Sequence, residues 1–317
     1  MADDPPIEVR GLVKRYGEIL AVNDVDLTVD AGDVYGYLGP NGAGKTTSLR
    51  MMLGLIRPTA GHVRLFGRDP LLGARALDGV AGFVEAPQFY PYLSGRRNLE
   101  LLAAYDGHEA SSRIEQALDT VELSGRAKDR VGGYSHGMRQ RLGIAGALLR
   151  APKLLLLDEP ATGLDPAGMR DMRVLIRRLA DEGMTVLLSS HLLPEVEELC
   201  NRVAIVRTGK IVYEGAIADL KRGAGAVYRL STTDDERALA VCRAQRGLGE
   251  IRTEHGYICF SADAAAAAEL SQALIEAGAL IQMLAPETVT LEDLFFSLTE
   301  GDGGARSDGA VQTAVTP

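Results

Sequence analysis

The chain has 317 residues, 46% of them hydrophobic and 24% charged, with a formal net charge of −9. That length holds one large domain with a smaller one, or two of medium size, and the composition is ordinary for a globular protein. The acidic balance argues against a protein whose main business is the nucleic-acid backbone. No apolar run reaches the length of a membrane span, and the opening Met1-Ala2-Asp3-Asp4-Pro5-Pro6 lacks the basic-then-apolar pattern of a secretory signal. Cys200, Cys242 and Cys259 stand far apart in no metal or redox spacing and read as buried thiols in a reducing cytoplasm.

Residues 7–29 alternate in places (Val25, Leu27, Val29) and read as β-structure. Residues 33–38 can form a short strand and residues 47–56 a helix. Between them runs Gly39-Pro40-Asn41-Gly42-Ala43-Gly44-Lys45-Thr46-Thr47, the pattern of a phosphate-binding loop in its required strand–loop–helix setting. Gly39, Gly42 and Gly44 let backbone N–H groups approach a phosphate with no Cβ in the way. The helix N-terminus adds partial positive charge. Lys45 is placed to reach terminal phosphates and the Thr46 hydroxyl to hold Mg²⁺. Residues 63–66 and 80–84 look like further strands. Residues 94–150 turn helical, with Leu99, Leu101 and Leu102, then Ile114, Leu118 and Val121, at helical spacing.

Strand and helix then alternate. Residues 153–157 form a continuous apolar run, as in a strand buried on both faces. A basic amphipathic helix over 167–180, a strand over 185–189, a helix over 194–200 and a strand over 203–206 follow. This alternation predicts an α/β fold, a parallel sheet with helices on its faces, with the 94–150 block inserted as a helical subdomain. A boundary is expected near Leu220, with Lys221-Arg222-Gly223-Ala224-Gly225 as linker. Beyond it the order βαββαβ suits a small ferredoxin-like α+β domain, followed by a final helix over 291–298. Residues 301–317 have little to bury and are expected to be disordered.

The apolar run ends in Asp158-Glu159. In phosphate-loop hydrolases the first acidic residue after such a strand supports Mg²⁺, and the second is placed to polarise an attacking water. Gly133-Tyr134-Ser135-His136-Gly137-Met138 opens a helix. Taken alone it is a helix cap with a basic first turn. Likewise, His191 after a strand reads alone as structural, and Tyr16 at a strand end as a packing aromatic.

The order of these motifs, with Gly163-Leu164-Asp165 and Ser189-Ser190-His191 after them, closely resembles the ATP-binding subunit of ABC transporters over about residues 7–220. Ser135-His136-Gly137-Met138 stands where that family usually has Ser-Gly-Gly-Gln. The wording Tyr-Ser-x-Gly-Met, Ala161 to Pro166, and Leu291-Glu292-Asp293-Leu294-Phe295 resemble its drug- and antibiotic-export branch. The resemblance implies a phosphate-loop ABC-type ATPase domain over 1–220, with its helical subdomain at about 86–150. The small α+β domain read from the element order then spans 221–300, and the tail 301–317. By position, Tyr16 stacks on adenine; Gly39, Asn41, Gly42, Gly44, Lys45, Thr46 and Thr47 hold the phosphates. Ser135, Gly137 and Asp165 serve a second subunit's nucleotide, and Thr46, Glu85 and Asp158 support Mg²⁺. Glu159 is the general base and His191 contacts the γ-phosphate. Glu85 is a departure, since the family usually has Gln there. Aligning Tyr90-Pro91-Tyr92-Leu93 with the family's Phe-Pro-x-Leu puts Glu85, not Gln88, at that position.

The implied mechanism is a head-to-tail dimer with ATP between Lys45 of one copy and Ser135 of the other. It powers a separate membrane permease from the cytoplasmic face of the cell membrane. The permease is expected to dock on residues 85–93 and the helical subdomain, and no nucleic-acid partner is expected. The alternative is an ABC ATPase acting on ribosomes or DNA, which the single cassette and the acidic balance disfavour.

Overall fold

A computed structural model describes residues 4–106, 108–223, 226–254, 256–287 and 290–300. The expected tail and the last two linker residues, Ala224 and Gly225, lie outside them. The chain divides into two compact units, Met1–Ala216 and Ile217–Pro317.

The first unit opens with β1 (Ile7–Tyr16) and β2 (Ile19–Val29), whose alternate residues Ile7, Val9, Leu12, Val25, Leu27 and Val29 are buried. They pair antiparallel, from Ile7 opposite Val29 to Tyr16 opposite Ile19. Next come β3 (Val34–Leu38), α1 (Lys45–Met52), β4 (Ala60–Arg64) and β5 (Val80–Phe83). A helical block follows: α2 (Gly95–Asp106), α3 (His108–Ser112), α4 (Ile114–Thr120) and α5 (His136–Leu148). The chain returns through β6 (Leu154–Asp158), α6 (Pro166–Asp181), β7 (Thr185–Ser190), α7 (Leu193–Leu199), β8 (Arg202–Arg207) and β9 (Lys210–Ala216).

Six strands form one sheet in the order β5-β6-β7-β3-β8-β9. All neighbours are parallel except the edge pair β8–β9. β3, β6 and β7 are buried along their whole length, as apolar strands covered on both faces must be. The other sheet, β2-β1-β4, is antiparallel throughout. One core joins the two, holding Val9, Leu27, Tyr35, Tyr37, Leu49, Met52, Leu156 and Leu187. Parallel strands leave their C-terminal ends on one side, so the loops after β3, β6 and β7 meet there. Ligands of open α/β sheets bind at that edge.

Several boundaries differ from those the sequence suggests, among them β4, which spans Ala60–Arg64 and not 63–66. The helix after the phosphate loop stops at Met52, not Ile56. Gly54 takes φ 68° and its N–H donates to the Met51 carbonyl at 3.0 Å, closing the last turn in the left-handed way glycine permits. Leu53 and Ile56 still pack against the core from beyond the helix. In the second unit, residues 221–223 are not linker but the end of α8 (Ile217–Gly223).

That unit continues with β10 (Ala226–Thr232), α9 (Asp235–Ala244), β11 (Gly249–Glu254), β12 (Tyr257–Ala262), α10 (Ala264–Glu276), β13 (Ile281–Glu287) and α11 (Leu291–Glu300). Its sheet runs β11-β12-β10-β13 with every neighbouring pair antiparallel. Each βαβ crossover thus skips one strand, the split-βαβ arrangement of ferredoxin-like folds. Leu230, Ile258 and Phe260 of the sheet pack with Ala238, Cys242, Leu270 and Leu274 of α9 and α10. The three cysteines are buried free thiols, and burial raises Cys242 to a pKa of about 11.

Candidate functional site

Residues 39–44 connect β3 to α1 through positions that only glycine fits. A Cβ on Gly44, where φ is +100°, would lie 2.3 Å from the Ala21 carbonyl oxygen; one on Gly39 would lie 2.6 Å from that of Val206. Gly42 also has a left-handed φ, +82°. The loop is braced by two backbone bonds, from Ala43 N–H to the Pro40 carbonyl (3.1 Å) and from Gly209 N–H to the Ala43 carbonyl (3.2 Å). Asn41 is exposed on the loop, while Thr46 and Thr47 stand in the first turn of α1.

Lys45 is only 6% exposed. A buried ammonium needs partners, and it finds them in the Gly39 carbonyl at 2.8 Å and the Glu159 carboxylate at 3.4 Å. Asp158 ends β6 beside Ser189 of β7 and is 5% exposed. The Ser189 hydroxyl donates to Asp158 Oδ1 at 2.5 Å and accepts the Glu159 N–H at 3.0 Å. Glu159 itself sits at φ 51°, left-handed and unusual for a side chain of its size. Its Oε2 accepts from the Thr162 hydroxyl at 2.7 Å and lies 2.7 Å from His191 Nδ1. Burial pushes the Glu159 carboxyl up, but the Thr162 hydroxyl, Lys45 and His191 together outweigh it and hold the group below its ordinary value. Lys45, Asp158, Glu159 and His191 therefore form one charged cluster at the C-terminal edge of β3, β6 and β7.

Ser135, Gly137 and Asp165 gather elsewhere. The Ser135 hydroxyl caps α5, accepting the Met138 N–H at 3.2 Å, and the Asp165 carboxylate caps α6, accepting the Gly168 N–H at 3.0 Å. Both capped ends line a cavity of about 340 Å³ with His136, Arg141 and Asp171, and no member of the Lys45 cluster lines it. Tyr16 ends β1 half-exposed, with the Lys14 ammonium 5.0 Å from its ring centre. Glu85 follows β5 at φ 70° and is ion-paired to Arg50 of α1.

Residues 22–162 match the family model described as ABC transporter. The chain is 37% identical over 298 residues to the bacitracin transport ATP-binding protein BcrA of Bacillus licheniformis, covering 93% of this chain and 97% of that protein. It belongs to the ATP-binding proteins of ABC transporters. A daunorubicin resistance ATP-binding protein of Streptomyces coeruleorubidus is 34% identical over 307 residues, with 94% and 97% covered. Among solved structures, an ATP-binding subunit of an ABC transporter superposes with TM-score 0.61 at 30% identity, over 68% of this chain and 92% of that one. A dimeric post-hydrolysis cassette bound to ADP and phosphate superposes with TM-score 0.60 at 24% identity, over 67% and 98%. As an ABC ATPase, the chain binds and hydrolyses ATP. No helix among its described residues is long and apolar enough to cross a membrane.

Three residues of this ABC ATPase that were assigned no role from the sequence lie against the site residues. Ser189 ties Asp158 to Glu159, Thr162 holds the Glu159 carboxylate, and Arg50 neutralises Glu85. Ser189 had a signal in the sequence: a polar pair, Ser189-Ser190, closes an otherwise apolar strand. Thr162 and Arg50 had none, since their partners are set by turns and by tertiary placement.

Proposed function

We propose that the chain is the ATP-hydrolysing subunit of an export system for a drug, antibiotic or other amphiphile. It acts as a head-to-tail pair of ATPase subunits on the cytoplasmic face of the membrane beneath a separate permease. The observation that carries the dimer reading is the split between the two groups of site residues. Lys45, Asp158, Glu159 and His191 form one cluster, whereas Ser135, Gly137 and Asp165 line another cavity. Two helix N-termini at that cavity suit an anion, so a second copy's nucleotide completes the arrangement. Export of an antibiotic or drug is supported by the names of the relatives, a bacitracin transport and a daunorubicin resistance protein.

The residues present fit Mg²⁺. Among the described residues, no three His, Cys, Asp or Glu side chains gather into a metal-binding group. The donors at hand are hard oxygens, those of the Thr46 hydroxyl and the Asp158 carboxylate. Mg²⁺ suits such a sparse set, because it takes one or two carboxylates and completes its shell with phosphate oxygens and water. When bound, it neutralises charge on the transferring phosphoryl group. Glu85 would join this set by releasing Arg50.

On this reading Lys45 exchanges Glu159 for the nucleotide's phosphates. Glu159, held ionised, then accepts a hydrogen bond from the attacking water and orients it in line with the γ-phosphate. His191 contacts the γ-phosphate, and the half-exposed Tyr16 ring offers its face to adenine. The domain extents proposed are an ATPase domain over 1–220 and a small domain over 221–300.

Hydrolysis of Mg²⁺-ATP by the full chain beside Glu159→Gln, with molar mass followed by light scattering, tests the reading. Turnover by the wild type and an ATP-trapped dimer of the variant are expected. Wild-type turnover by Glu159→Gln would remove the base assignment, and a variant that stays monomeric with ATP would remove the sandwich. Drug accumulation in cells carrying the chain with its membrane partner, beside cells carrying Lys45→Ala, tests export; equal accumulation would refute it.

A further inference from the structure

The residue after Ser135 is His136, where the family resemblance leads one to expect glycine. Its imidazole does not point idly into solvent. Nε2 lies 3.1 Å from the Thr162 carbonyl oxygen. The ring also lies over Gly163, close enough that a Cβ there would stand 3.5 Å from Nε2 and 3.6 Å from Cδ2. A carbonyl only accepts, so Nε2 carries the proton and donates.

Thr162 is bound on its other side to the catalytic cluster. Its hydroxyl donates to Glu159 Oε2 at 2.7 Å, and its N–H donates to the Glu159 carbonyl at 3.1 Å. The same carboxylate oxygen lies 2.7 Å from His191 Nδ1. Three residues thus form a line, His136 to Thr162 to Glu159, from the first residue of α5 to the residue after β6.

We propose that His136 is a positioning residue for the Glu159 carboxylate, acting through Thr162. It makes the turn offered to a second subunit's nucleotide and the base of the chain's own site one hydrogen-bonded unit. The proposal rests on the reading of Glu159 as the base. With glycine at 136 no side chain of this turn reaches the Thr162 carbonyl. With histidine, a shift of the Ser135–Gly137 turn is transmitted to the Thr162 carbonyl, and hence to the hydroxyl that holds Glu159. His136 is half-buried and Thr162 exposed, so their substitution is expected to leave the thermal midpoint within about 2 °C, which separates positioning from folding.

The test is steady-state ATP hydrolysis by the full chain as wild type, His136→Ala, His136→Gln, Thr162→Val, Thr162→Ser and the double variant His136→Ala/Thr162→Val. Loss of one positioning hydrogen bond is expected to lower kcat about tenfold in His136→Ala, with KM for ATP within about twofold. His136→Gln keeps an N–H donor of similar reach and is expected to recover most of the rate. Thr162→Ser keeps the hydroxyl and is expected to recover most of the rate lost in Thr162→Val, and the double variant to be no slower than Thr162→Val alone, because the two residues act in one line. An unchanged kcat in His136→Ala, or losses that multiply in the double variant, would overturn the proposal. So would a loss confined to KM, which marks His136 as a nucleotide contact instead. Glu159→Gln in the same series separates the two failures: if it hydrolyses ATP, the base assignment has failed, whatever His136 does.

Discussion

Ser189→Ala isolates the bond that ties the two acidic residues of the site together. Ser189 is fully buried, and its hydroxyl donates to Asp158 at 2.5 Å while accepting the Glu159 N–H at 3.0 Å. Alanine fits the space but leaves the carboxylate without that donor. A hydrogen bond to a charged group contributes about 1.5–3 kcal/mol, about twice a neutral one. The second loss is softened, because the Glu159 N–H also reaches the Ser189 backbone carbonyl at 3.2 Å, which alanine keeps. A net cost of about 2 kcal/mol follows. For a unit the size of Met1–Ala216 that lowers the thermal midpoint by about 4–8 °C. Thermal unfolding by circular dichroism at neutral pH measures it. In an Asp158→Ala background, where no carboxylate remains, the same substitution is expected to cost less than half as much. A midpoint shift under about 1 °C, or an equal shift in both backgrounds, would show that the hydroxyl does not hold Asp158.

The depressed pKa of Glu159 ties part of the stability to pH. Its contribution is complete above the ordinary glutamate range near ~4.3 and is lost as pH falls through the lower folded value. Urea titrations should therefore show the gap between wild type and Glu159→Gln narrowing below about pH 4; a gap independent of pH would contradict the assignment. Gly44→Ala puts a Cβ 2.3 Å from the Ala21 carbonyl at φ +100°. It is expected to destabilise by more than about 1 kcal/mol and to abolish binding of a fluorescent ATP analogue, and retained affinity would refute the loop geometry. The Glu85–Arg50 pair is solvent-exposed, so Arg50→Ala should change stability by less than about 1 kcal/mol. Glu85→Ala is expected to raise the Mg²⁺ concentration needed for half-maximal hydrolysis; unchanged hydrolysis and transport would remove Glu85 from the site.

Much of the fold was legible because burial on both faces leaves a plain mark. Leu154 to Leu157 and residues 185–188 read as strands since almost no polar residue interrupts them, and both are fully buried. Strand order was not legible: nothing in Val34–Leu38 announces that β7 and β8, not β2, will flank it. β4 was only partly legible: the sequence suggests a strand over 63–66, whereas Ala60–Arg64 forms it, with His62 exposed and Val63 alone buried. Its place beside β1 comes from pairing, not pattern. Helical spacing overran α1 because Leu53 and Ile56 keep packing against the core after Gly54 has ended the helix. At the site, the glycine spacing before Lys45 and the Asp158-Glu159 pair after an apolar run were readable as local patterns, and the structure brings Lys45 and Glu159 together. The partners that orient them, Ser189 and Thr162, depend on which strand lies beside β6 and on how the turn after it folds. No local pattern encodes either.

The two acidic residues that follow β5 and β6 share a backbone feature. Glu85 and Glu159 both adopt left-handed φ, 70° and 51°, on adjacent strands paired from Val80 opposite Leu154 to Phe83 opposite Leu157. Such residues cost of order ~1–3 kcal/mol and persist only where surrounding bonds over-determine them. For Glu159 those bonds are known: its N–H is held by Ser189, and its carboxylate by Thr162, His191 and Lys45. The left-handed turn directs the carboxylate at Lys45, whose ammonium lies 3.4 Å away. On the proposed reading, a nucleotide whose phosphates take Lys45 would remove the ammonium from Glu159 and leave Thr162 and His191 to hold it. With Glu159 as the proposed base, it would then stay oriented but disengaged, so that occupancy of the phosphate loop and availability of Glu159 would be two readings of one electrostatic exchange.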